Sequence, residues 1–295
     1  MARTFTLIDG RSLEYLVSGP DDGFALVWLH GTPSCYLQVP CLATAYEKRG
    51  IKVITVSRPG YSGSTRNKGR RVVDAVADIQ ALLVHLGVKK CCVGGWSGGG
   101  ADALACAARL QGCVAVLCVA AFAPYDAEGL DWLAGKEEAS IKGFQAAMEG
   151  EEELLKHIGP ARLGMLNSDA ATVVDGLSNS FPQLDKEAML GNKELSLNLV
   201  ESMRQGLKDS CDGWVDDNMA MLAPWGFDLH EIKVPISLYQ GGVDNTVPFA
   251  HGEWFATHLP QEKLKKHLLR DQGHISIFLG QEEEIMDELL EMVES

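Results

Sequence analysis

Apolar and polar side chains alternate over residues 4–17 and the pattern breaks at Asp9-Gly10 and at Ser18-Gly19-Pro20. That rhythm predicts an antiparallel hairpin with one covered face. From residue 24 the rhythm changes. Residues 24–29, 51–56, 90–95, 113–120 and 236–240 are short β-type runs, largely continuous and apolar. Runs of that kind predict strands covered on both faces. Between them, Val72, Val73, Val76, Ile79, Leu82, Leu83 and Leu86 recur at helical spacing, and Gly87 follows as a stop. An Ala-rich stretch, 101–110, predicts a second helix. Strands alternating with helices imply a mostly parallel sheet. The alternation ends near Pro124-Tyr125. Residues 126–225 carry helical patterns, such as 141–148, 154–166 and 195–207, and no strand. Strand character resumes at Val234-Pro235-Ile236. Residues 263–270 are amphipathic, and a last helix is expected over about 283–293. The chain is therefore read as an α/β core (1–125 and 226–295) interrupted by a helical cap (126–225).

Chemistry enters at the end of the third long run. Gly95-Trp96-Ser97-Gly98-Gly99 fits Gly-x-Ser-x-Gly, with a strand before it and a helix after it. A tight strand-to-helix turn of this kind lifts the serine out of the sheet as a nucleophile. Side chains at 95 and 99 would collide in so tight a turn, hence glycine. A phosphate-binding loop would need Gly-Lys-Ser/Thr, which is absent, and a dinucleotide fingerprint belongs in the first βα unit. Where such an elbow occurs, one oxyanion N–H comes from the residue after the nucleophile, here Gly98. The second comes from a loop after an earlier strand. Thr32, in His30-Gly31-Thr32-Pro33, is the candidate for it.

Serine needs a base to take its proton. His274, in Asp271-Gln272-Gly273-His274-Ile275-Ser276, lies on a late loop beyond the sheet strands and is the candidate. His251, His258 and His267 are read as surface residues, and His30 as structural. Asp244, after the 236–240 run, is the candidate acid that orients the imidazole. Asp126 is the runner-up. The chain order Ser, Asp, His is the one expected for this elbow. Among the aromatic side chains, Trp96, Trp132, Trp214 and Trp225 are candidates for substrate binding, with Phe144, Met148, Met219, Met221 and Tyr61 as further choices.

Taken together, these segments resemble the α/β-hydrolase superfamily, and within it the capped microbial hydrolases of haloperoxidase-like or esterase-like type. The resemblance covers essentially the whole chain. It rests on His30-Gly31-Thr32-Pro33, on the stretch from Ser57-Arg58-Pro59-Gly60 to Ser64, on the elbow, on Pro224-Trp225-Gly226-Phe227-Asp228-Leu229 and on Gly273-His274. It implies an eight-stranded, mostly parallel sheet with a helical cap after the sixth strand. It also implies the triad and oxyanion roles given above. Relatives with this elbow often continue Pro-His; here the chain continues Ala101-Asp102, so a charge of unexplained purpose sits near the elbow helix. Ser97 separates the chain from dehalogenases and epoxide hydrolases, whose nucleophile is aspartate.

Composition narrows the partners. The 295 residues carry 26 Lys+Arg against 40 Asp+Glu, a net charge of −14. That balance argues against nucleic acid and against anionic lipid. Eight cysteines form no Cys-x-x-Cys pair and no cluster with zinc spacing, so no metal and no cofactor are expected. They read as buried free thiols, with Cys35 placed near the site. The N-terminal residues lack an apolar stretch of signal-peptide length, and the expectation is a cytoplasmic protein acting on a small-molecule acyl substrate. An ester is the first choice. A carbon–carbon bond hydrolase would favour a cap pocket with a carboxylate-binding arginine, for which Arg162 and Arg204 are candidates. A non-catalytic receptor on the same scaffold is the remaining alternative.

Overall fold

The computed structural model describes residues 1–294. Its elements run β1 (Arg3–Thr6), β2 (Ser12–Ser18), β3 (Ala25–Leu29), α1 (Pro40–Lys48), β4 (Lys52–Val56), α2 (Ala75–His85), β5 (Cys91–Trp96), α3 (Gly98–Arg109) and β6 (Cys113–Val119). Six helices follow: α4 (Glu138–Glu149), α5 (Glu151–Asn167), α6 (Ala170–Ser180), α7 (Gln183–Gly191), α8 (Lys193–Leu207) and α9 (Asp212–Leu222). The chain closes with β7 (Ile236–Gly241), α10 (Phe249–His258), β8 (Leu264–Leu269) and α11 (Glu282–Glu294).

The eight strands form one sheet in the order β1-β2-β4-β3-β5-β6-β7-β8. β1 pairs antiparallel with β2, and β2 with β4; every later pairing is parallel. The continuous apolar runs are the central strands, and β3, β5 and β7 are buried at every residue. Alternation along β3 shows why. Leu26 and Trp28 join the cluster under α1 and α11, whereas Val27 and Leu29 join the cluster under α2 and α3. The 263–270 segment is an edge strand, β8. It pairs with β7 alone, so Lys265 and Lys266 reach solvent and the run is broken.

The chain moves from β3 to β4 on one side, then crosses back to β5 on the other. The carboxyl ends of β3 and β5 therefore open a crevice, the place where ligands bind in sheets of this kind. The helices α4–α9 lie between β6 and β7 in sequence. They hold a small apolar cluster of their own, with Leu154, Ile158 and Val215, while Val174, Met189 and Leu199 pack into the cluster beneath α1 and α11.

Candidate active site

Ser97 stands between β5 and α3 with φ 55° and ψ −125°. Positive φ is costly for a residue with a side chain, and strain of this kind persists only where neighbours over-determine it. Here the neighbours are backbone. A Cβ on Gly99 would lie 2.3 Å from the Leu29 carbonyl oxygen and 2.6 Å from that of His30. A Cβ on Gly95 would lie 2.2 Å from the Gly99 carbonyl oxygen. Two glycines thus let α3 start directly against the end of β3. The Ser97 amide donates to the Val119 carbonyl at 2.9 Å, which ties the turn to β6 as well.

The loop after β3 meets this turn from the side. A Cβ on Gly98 would come 2.2 Å from Thr32 Oγ1, so Thr32 and Gly98 are in direct contact. Among the described residues nothing accepts the Thr32 N–H. The Gly98 N–H opens α3, where a helix has no intrahelical acceptor. Both residues border the same cavity as Ser97.

On the far side of the crevice, His274 Nδ1 lies 2.7 Å from Asp244 Oδ2, and both side chains are buried. The other carboxylate oxygen accepts the Thr246 and Val247 amides, each at 2.8 Å. Those bonds fix the acid, and the acid selects the ring tautomer that carries hydrogen on Nδ1, leaving Nε2 free as an acceptor. Trp96 stacks at a tilt on the imidazole, 5.2 Å between centroids, and its Nε1 donates to the His274 carbonyl at 3.2 Å. Ser97 and His274 border one small cavity of about 80 Å³ together with Trp96 and Phe181. Among the described residues no hydrogen bond joins Ser97 to His274. Contacts of this sort tighten when substrate binds. Asp126, the runner-up acid, is exposed on a surface groove away from these residues.

A model of the alpha/beta hydrolase family matches residues 26–288. The chain belongs to that family. It is 27% identical over 281 residues to an uncharacterized hydrolase, YcgS, of Bacillus subtilis, covering 93% of this chain and 92% of the relative. It is 28% identical over 258 residues to a pimeloyl-acyl-carrier-protein methyl ester esterase of Aromatoleum aromaticum, covering 84% of this chain and 90% of the relative. Among solved structures, a bromoperoxidase from Bacillus anthracis superposes with a TM-score of 0.71 at 19% identity over the whole of both chains.

The larger cavity that Ser97 borders holds about 360 Å³ and is walled largely by apolar side chains, including Phe144, Met165, Leu177, Phe181, Met203 and Trp214. That volume lies within the range of small-molecule sites. Of the four candidate tryptophans, Trp214 borders this cavity and Trp96 the smaller one. Trp132 and Trp225 border neither. Trp132 packs on Phe122 and Phe144 and donates to the Ala123 carbonyl at 2.7 Å. Trp225 stacks on Phe227 in the core cluster beneath α2 and α3. Met148, an exposed residue, also stands outside the pocket. His251 corrects another expectation. It is fully buried on the inner side of α10, where Nδ1 accepts the Ala123 amide and Nε2 donates to the Trp132 carbonyl. Burial lowers its pKa to about 3, so it stays neutral. His30 is likewise buried and neutral, its Nε2 accepting the Arg58 amide at 3.0 Å.

Two groups of ionisable residues were not legible from the sequence. The first explains Asp102. Arg58 and Arg70 are buried together with Asp102 and Asp217, the latter on α9. Asp217 accepts from both guanidinium nitrogens of Arg58 (2.7 and 2.6 Å), from Tyr61 (2.7 Å), from Arg70 and from Thr32. Asp102 meets Arg58 at 3.3 Å. Burial favours the neutral form of Asp217, but the two arginines outweigh it and hold its carboxyl well below the usual range. For Asp102 burial prevails over the same arginines and raises the pKa to about 6. The available signal is the Asp216-Asp217 pair between Trp214-Val215 and the apolar run 219–222. The second group is Lys136, whose ammonium sits 4.3 Å from the Phe122 ring centre and 4.5 Å from that of Trp132. It donates to the Thr246 carbonyl at 3.2 Å, on the loop that carries Asp244. Burial lowers its pKa to about 7.

Proposed function

We propose that this chain is a serine hydrolase that cleaves a carboxylic ester of an apolar, small-molecule acyl substrate through an acyl-enzyme. The observation that carries this reading is a strained Ser97 elbow that shares a small cavity with His274, itself paired with Asp244, while Ser97 also borders a larger apolar cavity. Ser97 Oγ attacks the ester carbonyl carbon as His274 Nε2 takes its proton. The N–H groups of Thr32 and Gly98 hold the resulting oxyanion, each contributing about 3–4 kcal/mol. The tetrahedral centre collapses, the carbon–oxygen bond to the alcohol breaks, and His274 returns the proton to that oxygen. Water then attacks the acyl-enzyme with His274 again as base, releasing the acid and restoring Ser97. No step needs a cofactor.

The cap side chains support an ester over a carbon–carbon bond substrate. Arg162 donates to the Leu207 and Lys208 carbonyls, and Arg204 to those of Met165 and Ser168. Neither guanidinium borders the cavity. The relative named as a methyl ester esterase points the same way. Failure of the folded wild-type protein to take a fluorophosphonate label would favour a receptor on this scaffold.

A fluorophosphonate probe should label the wild-type protein at Ser97. Hydrolysis of p-nitrophenyl esters should fall by roughly 10⁴–10⁶-fold in Ser97→Ala, a variant whose fold is kept. A folded Ser97→Ala protein with normal turnover would remove the reading. An acyl-chain-length series, run beside diketone substrates, separates ester from carbon–carbon chemistry.

A further inference from the structure

None of residues 183–191 borders the substrate cavity, although the other five cap helices all contribute to its wall. Helix α7 instead turns one carboxylate toward the catalytic base. Asp185 is fully buried. Its Oδ2 accepts the His274 amide at 2.6 Å, and its Oδ1 accepts the amides of Ile275 at 3.0 Å and Ser276 at 2.8 Å. These three N–H groups precede or open a single 3₁₀ turn, Ser276–Phe278, and have no acceptor within their own loop. The fit is close, since a Cβ on Gly273 would lie 2.4 Å from both carboxylate oxygens. The neighbouring corner of the cap touches the acid loop too, for the Ser180 carbonyl accepts from Asn245 Nδ2 at 2.9 Å.

We propose that Asp185 is a positioning residue for His274, a carboxylate of the cap that clamps the backbone of the base and so directs its imidazole. The proposal rests on the serine-hydrolase reading for its kinetic consequence. The physical reason is that side chain and backbone at residue 274 are held from opposite ends. Asp244 fixes Nδ1, which leaves the ring free to swing about that one bond. Asp185 fixes the amide, and Trp96 the carbonyl. With both ends held, Nε2 has one direction. The packing of α7 therefore bears on the direction of the base.

Asp185→Asn keeps the shape but exchanges one acceptor for an amide donor facing N–H groups. Asp185→Ala removes both acceptors. A displacement of the base by about 1 Å costs about 100-fold in rate. We expect kcat and the rate of fluorophosphonate labelling to fall about 100-fold in Asp185→Ala and about 10-fold in Asp185→Asn, with KM unchanged within about 3-fold. A role limited to cap stability would move KM and the melting temperature and leave kcat alone. Glu187→Gln, on the exposed side of α7, controls for general effects on that helix. Wild-type kcat and labelling in the folded Asp185 variants overturn the proposal. If Asp185→Ala does not fold, Gly273→Ala decides the matter, because it keeps Asp185 and drives a methyl group against its carboxylate. An unchanged kcat there overturns the clamp, and a loss with constant KM supports it. Amide hydrogen exchange at 274–276 separates this proposal from the reading it rests on. Wild-type protein that resists the probe removes the hydrolase reading. Exchange at these amides that is no faster in Asp185→Ala removes the clamp.

Discussion

The two halves of the candidate active site are built differently. The half that carries Ser97 comes from the core. Ser97 is held by its own glycines, by the end of β3 and by β6, all within the first 121 residues. The candidate acid and base come from the short loops after β7 and β8. Asp244 is fixed by amides two and three residues on, and His274 by Asp185 from the cap. A turn dictated by backbone collisions is robust and leaves a sequence motif. A loop held by a carboxylate 89 to 91 positions away leaves none.

Residues of α8 and α9 cross this division. Ser202 bonds to Ser34 and to the Cys35 amide, and Asp217 reaches Thr32 and the two buried arginines, so the candidate oxyanion loop is tied to α9 through charge. Three experiments test how far the division holds.

The largest effect is expected in the core. Gly99→Ala places a methyl group against two backbone carbonyls, which cannot yield as a flexible side chain can. We expect probe labelling and esterase activity to fall by at least about 100-fold. Normal labelling in Gly99→Ala would show that the elbow is not held by that contact.

Asp217→Asn comes next. It leaves two buried guanidinium groups short of a counter-charge, and breaking a buried pair costs about 3–5 kcal/mol. Urea unfolding at neutral pH reads this directly. The folded-state pKa of Asp217 lies below its unfolded value, so its contribution is full above the ordinary carboxylate value and is lost as pH falls from there toward the lower folded-state value. The stability gap between wild type and variant should therefore narrow on acidification. A gap that stays constant would assign the cost to packing rather than charge.

The smallest effect is expected at Lys136. Its pKa is about 7 in the folded protein, below the ordinary lysine value. Between those two values the unfolded chain binds the extra proton, so wild-type stability rises with pH across that window. Lys136→Met removes the slope. The melting temperature of the variant relative to wild type should be highest near pH 6 and decline toward pH 10. A difference that does not change with pH would show that the amine stays charged within its aromatic box.

Several things were decided by the sequence alone. Central strands need apolar side chains on both faces, so β3 to β7 stand out as runs. The elbow needs glycine where backbone meets backbone, so 95–99 is readable at sight. The edge strand β8 shows in the sequence only as an amphipathic segment, since one side of it faces solvent and its lysines interrupt the run. Tertiary structure alone decided which charges are buried. Asp102, Asp185 and Asp217 look like any surface carboxylate in a chain of net charge −14, and His251 looks like a surface histidine. A buried polar group is tolerated only when partners satisfy it. For these four residues the partners lie from tens of residues to more than a hundred away, so no local pattern encodes them.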